Sequence, residues 1–140
     1  MNIRSRLSFY FRFHPIYFLL SLLLLGAEIF IGLRLHDGIT RLNGGDYLVV
    51  IWLYCLVRSF FDTPVTPTAL AVLVFAYIVE VTQYFKLADH LGFKPHSLAR
   101  VLVGDYFSWL DMLAYTLGIF SVLGVETIIK GKKNEARATR

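Results

Sequence analysis

Apolar residues gather into four long runs separated by short polar stretches, at about 15–35, 46–61, 68–86 and 107–129. A helix rises 1.5 Å per residue, so about 20 apolar residues reach across the roughly 30 Å of a bilayer's hydrocarbon core. Each run therefore predicts a transmembrane helix, with the second somewhat short. The first follows Arg4, Arg6 and Arg12 and contains Glu28 and Arg34. A cleaved signal peptide has the same basic start, and Gly26-Ala27 offers small residues. The length of the run, and the three runs after it, favour a retained span.

The connections are legible as well. Asp37-Gly38 and Asn43-Gly44-Gly45-Asp46 are dense in turn residues and predict a loop, with Asp46 capping the second helix. Arg58 near the end of that helix reads as a snorkelling cation. Asp62-Thr63-Pro64 and Pro67 make the next turn. The segment 87–106 mixes His90, Lys94, His96, Arg100 and Asp105 with Leu98, Val101 and Val103, too polar to span. It predicts a loop and a short amphipathic piece at the membrane interface. The tail 130–140 carries Lys130, Lys132, Lys133, Arg137 and Arg140 and is expected to end in disorder. The predicted fold is all-α, one membrane domain over residues 1–140, built as a bundle of four transmembrane helices.

Composition agrees with the pattern: 56% of the 140 residues are hydrophobic and 17% charged, with a mean hydropathy of +0.59. The net charge of +4 resides largely in the tails, which speaks for membrane orientation rather than nucleic acid. Under the positive-inside rule both termini are cytoplasmic. Cys55 is the single cysteine, so an intramolecular disulfide is excluded. No motif for a metal, a cofactor or an activated nucleophile is visible, and binding is favoured over catalysis. Aromatic residues crowd the ends of the runs, with Tyr10, Phe11, Phe13 and Tyr17 at one side and Tyr106, Phe107 and Trp109 at the other, as in an interfacial belt.

Candidate chemistry lies in carboxylates inside apolar runs, where an ionisable residue is costly enough to mark a functional site. Counting turns from the predicted ends puts Glu28, Glu80 and Asp111 at one depth near the outer boundary. Tyr77, Glu80, Gln83 and Tyr84 share a face of the third run by i, i+3 and i+4 spacing, and Ser108, Asp111, Tyr115 and Gly118 share one of the fourth. Asp37, Asp46, Arg34, Arg41 and Arg100 fall on the same side. Buried polar groups also serve as interhelical glue, and Asp111 in a first turn is favoured by the helix dipole alone. Converging carboxylates with nearby arginines exceed what gluing four helices needs.

These residues resemble known families. Glu80-x-x-Gln83 followed by Asp111-Met-Leu-Ala-Tyr-Thr-Leu-Gly118 is similar to the signature of the VanZ-like membrane proteins, and Asp46 with Tyr54 eight positions on resembles another of their spans. Tyr47, Val50 and Tyr115 stand where that family has Lys, His and Asn, so chemistry needing those residues does not carry over. A sister family of unknown function, made of small bacterial four-helix membrane proteins, resembles the chain more fully. The shared marks are His36-Asp37-Gly38, Arg41, Gly44-Gly45-Asp46, Leu53 to Arg58 and Ser108 to Gly118. The resemblance implies a multi-pass protein of a bacterial inner membrane and no particular activity. Three functions fit. One is a pocket for the headgroup of a lipid or lipid-linked envelope precursor, with the arginines on phosphate and the acids on hydroxyls or a proton. The others are a proton- or cation-coupled carrier, which with so few spans needs a homodimer, and an accessory subunit of a membrane complex.

Overall fold

A computed structural model describes residues 10–34, 38–92, 94–95 and 107–139, and for 38–44 and 88 it describes the backbone alone. Among these residues the chain is all-α with four long helices: α1 (Pro15–Arg34), α2 (Gly38–Phe60), α3 (Val65–Tyr84) and α5 (Trp109–Ala138), plus the single turn α4 (Leu87–His90). Two short strands, β1 (Tyr10–Phe11) and β2 (Phe61–Asp62), pair antiparallel and strap the segment before α1 to the end of α2. Amides of Arg12 and His14 continue the strap by donating to the carbonyls of Phe60 and Ser59. Three helices, α1, α3 and α5, are long and apolar enough to cross a membrane by length and composition.

Direction follows from which residues meet. Tyr17 on α1 lies against Tyr54 on α2, while Glu28 lies against Gly45, so these two helices are antiparallel. Tyr47 meets Ser121 and Tyr54 meets Glu126, which makes α2 and α5 parallel. Tyr77 bonds Thr116, and Glu80 lies beside Tyr115, so α3 and α5 are antiparallel. One end of the bundle, the tail end, thus gathers the starts of α1 and α3 with the finish of α2. The other, the loop end, gathers the finishes of α1 and α3 with the starts of α2 and α5.

Helix faces explain the packing. Val65, Ala69, Val72, Ala76 and Glu80 recur every three or four residues on α3 and are buried; so are Asp111, Tyr115, Ile119, Val122 and Glu126 on α5. Small residues on such stripes let helix backbones approach in a membrane, where water gives no drive for association. Gly118 is the tightest case. A Cβ there would come within 2.5 Å of Val50 Cγ2 and 2.7 Å of the Tyr47 carbonyl oxygen, so α2 and α5 touch only because it is glycine. Large apolar residues such as Leu19, Leu23, Phe30, Phe75 and Phe120 face outwards, the inverse of a water-soluble core and the arrangement a lipid solvent rewards. Ser21 is the buried residue of α1, which places that helix at the rim.

Three expectations are corrected. The stretch Asn43-Gly44-Gly45 is helical, so Asp46 is two turns inside α2 instead of capping it. The glycines serve packing there, since a Cβ on Gly45 would stand 3.4 Å from Glu28 Oε2, and tertiary contact outweighs the low helix propensity of glycine. The basic tail continues as helix to Ala138, where Arg137 in the last turn complements the dipole. The two short strands depart from a purely helical reading. The amphipathic piece expected before the last helix lies outside the described residues, apart from α4.

Candidate functional site: three carboxyl groups at the loop end

Asp46 on α2, Glu80 on α3 and Asp111 on α5 converge on Tyr115. Its hydroxyl lies 3.0 Å from Glu80 Oε1 and 3.4 Å from Asp46 Oδ1. Asp111 lies close to both Asp46 and Glu80, and the backbone N–H of Ser108 donates to Glu80 Oε2 at 3.3 Å. That last contact is local physics: the first amides of a helix lack intrahelical partners, and the N-cap Ser108 makes no side-chain cap bond, so a carboxyl from α3 closes the end of α5. Glu80 is 1% exposed and Asp111 9%. The hydrogen-bond donors to Asp46 and Glu80 among the described residues are the Tyr115 hydroxyl and the Ser108 amide.

The other residues expected at the site divide three ways. Glu28 is at the same level: its Oε2 rests on Gly45, next to Asp46, and its Oε1 is buried without a hydrogen-bond partner among the described residues. Arg34 is exposed at the end of α1, Gln83 is half-buried one turn beyond Glu80, and Ser108 contributes its amide to the triad. Tyr54 is elsewhere. Eight residues along α2 carry it about 12 Å toward the tail end, where its hydroxyl donates to Glu126 Oε1 at 2.8 Å. Asp37 and Arg100 lie outside the described residues, as does the side chain of Arg41.

Tyr54 leads to a second polar centre that sequence reasoning missed. Glu126 is buried in α5 and accepts a second hydrogen bond from Tyr17 at 2.5 Å. The Arg58 guanidinium sits 5.0 Å above the Tyr17 ring, donates to the Thr63 carbonyl, and approaches Asp62 at 4.0 Å. An acid within an apolar run marks Glu126 by the same rule that marks Glu80, and Tyr17, Tyr54 and Arg58 share one spatial level with it. The two centres are separated by the 15 residues from Asp111 to Glu126, about 22 Å along α5. Among the described residues, no group of three or more His, Cys, Asp or Glu side chains is arranged to hold a metal ion.

Fold and site together define a helical multi-pass membrane protein with a buried acidic triad. The chain belongs to a family described as a protein of unknown function (DUF2809), whose model matches residues 35–119. That span contains the triad and Tyr115, while Tyr17 and Glu126 lie beyond it. No curated protein and no solved structure matches the chain.

Proposed function

We propose that the chain crosses a bacterial inner membrane four times with both termini in the cytoplasm, and that its triad takes up and releases a proton, making it a small proton-coupled carrier that acts as an oligomer. The fourth crossing is α2. Helix α1 finishes at the loop end and α3 starts at the tail end, so the 23-residue α2 returns through the thickness that its neighbours cross, and about 35 Å of helix suffices. Arg4, Arg6, Arg12 and the C-terminal cations orient the tail end to the cytoplasm. The motif resemblance to the VanZ-like proteins supports pairing Glu80 and Gln83 with the start of the last span.

The carrying observation is the gathering of Asp46 and Glu80 on the one hydroxyl of Tyr115, with the buried Asp111 beside them. Carboxylates gathered away from water repel one another, so such a cluster is stabilised by holding a proton. The Tyr115 hydroxyl on α5 bridges Asp46 on α2 and Glu80 on α3, giving a bound proton a short relay across three helices. The test is dye-reported proton flux in liposomes holding the purified protein. Wild type moves protons down an imposed pH gradient, and Glu80→Gln stops the flux. Flux equal to that of empty liposomes, or unchanged in Glu80→Gln, removes the reading.

A second reading, a site for the headgroup of a lipid or lipid-linked envelope precursor at the same end, is favoured by Glu28. Its buried Oε1 has an open hydrogen-bonding position beside the triad. Arg34, Arg41 and Arg100 would then meet phosphate and the acids would meet hydroxyls. Lipid mass spectrometry on purified protein tests it. A co-purifying phospholipid or polyprenyl phosphate is lost in Arg100→Ala, and equal lipid content in wild type and variant dismisses it.

A further inference from the structure

At the tail end, α1, α2 and α5 enclose a cavity of about 860 Å³. Leu20 and Leu24 of α1, Ile51 of α2, and Val125 and Ile129 of α5 give it apolar walls. Its basic groups all come from its mouth: His14 ahead of α1, Arg58 at the finish of α2, and Lys130 and Lys133 late in α5. We propose that this cavity binds one anionic phospholipid from the tail-side leaflet, with an acyl chain between α1 and α5 and the phosphate among His14, Arg58, Lys130 and Lys133. The site is distinct from the triad and depends on none of its chemistry.

Charge complementarity selects the occupant. Val122, Glu126, Lys130 and Lys133 follow one another at i+4, i+4 and i+3, so they lie on one face of α5 that passes from apolar through acidic to basic. The acid does not cancel the lysines. Glu126 is buried and engaged by two tyrosine hydroxyls, and Asp62 lies beside Arg58, so the mouth carries net positive charge. Two nitrogens there, Arg58 Nε and His14 Nε2, are buried without hydrogen-bond partners among the described residues. A buried polar atom left unpaired is costly, and phosphate oxygens on Arg58 satisfy it with charge-assisted bonds. The walls suit a hydrocarbon chain, and the volume lies within the roughly 300–1,000 Å³ of ligand sites. Helix α1 packs mainly against α2 and scarcely touches α5, which leaves the lateral opening that an acyl chain needs.

Basic residues near any membrane surface attract anionic lipid without a built site, and the test separates the two. The full chain in detergent is titrated with phosphatidylglycerol or phosphatidylcholine of identical acyl chains and read by native mass spectrometry. Wild type is expected to retain one phosphatidylglycerol per chain and to release phosphatidylcholine. Lys130→Gln with Lys133→Gln weakens retention about thirtyfold, from the usual contribution of a basic side chain at an anionic lipid surface. Leu20→Trp fills the apolar wall while leaving every cation in place, and it too loses the adduct. Leu20 is 43% exposed, and both lysines are exposed, so each variant keeps the fold. Retention undiminished in Leu20→Trp means surface attraction alone and overturns the proposal, as does equal retention of the two lipids by wild type.

Discussion

The loop end and the tail end of this bundle use the same ingredients to opposite effect. Each sets a buried carboxyl of α5 against a residue of α2, Asp111 against Asp46 and Glu126 against Tyr54. At the loop end further carboxyl chemistry joins through Glu80, and the hydrogen-bond donors among the described residues are the Tyr115 hydroxyl and the Ser108 amide. At the tail end the buried acid Glu126 has two tyrosine hydroxyls and a nearby arginine. A lone carboxyl with two hydroxyl donors is held in place by them, whereas carboxyls brought together repel unless a proton or a cation is shared among them. What surrounds an intramembrane acid, more than its presence, decides whether it can exchange a proton.

The largest effect is expected between the two centres. Gly118→Leu forces a side chain into the space occupied by Val50 and the Tyr47 carbonyl, which separates α2 from α5 and takes both centres apart. No monodisperse protein should elute in mild detergent, and Gly118→Ala should already cost about 1–3 kcal/mol in thermal or denaturant unfolding. A Gly118→Ala variant of wild-type stability would mean that the helices are not in contact there. Next comes Glu126→Leu. It strands two tyrosine hydroxyls and removes the anion near Arg58, at a cost of about 2–3 kcal/mol in the same assay, with no change in proton flux. Loss of flux in a variant that stays folded would erase the distinction between the ends.

Smaller effects sharpen the contrast. Tyr115→Phe removes the hydroxyl shared by Glu80 and Asp46, and should lower stability by about 1–2 kcal/mol while slowing flux. Tyr77→Phe deletes the hydroxyl paired with Thr116 between α3 and α5, a contact with no acid in it, and should cost about 0.6 kcal/mol, typical of interhelical glue. If both tyrosine variants lose the same small amount and neither alters flux, the triad is glue as well.

Much of this was legible in the sequence, and the failures have identifiable causes. Run length marked the four helices, with the start of α2 misplaced, and alternation of direction brought Glu28, Glu80 and Asp111 to one level. Helical spacing put Glu80 on the buried stripe of α3 and Asp111 and Tyr115 on that of α5. Asp46 was misread as a cap because Asn43-Gly44-Gly45 looks like a loop by local propensity; only contact with α1 explains a helix there. Motif resemblance names Tyr54 with Asp46 as a candidate site residue, although eight residues of helix displace it to the other centre. Glu126 sits near the finish of the fourth run, where an acid followed by Lys130, Lys132 and Lys133 reads as part of a polar helix end. Its partners Tyr17 and Tyr54 are 109 and 72 residues away, a pairing that no local pattern carries.

The central claim, that Asp46, Glu80 and Asp111 hold an exchangeable proton between them, is tested most directly by infrared spectroscopy of the membrane-reconstituted protein across a pH titration. The account predicts a protonated-carboxyl band that changes reversibly with pH and disappears in Asp111→Asn while persisting in Glu126→Gln. A band absent at every pH, or one lost in Glu126→Gln and intact in Asp111→Asn, contradicts it.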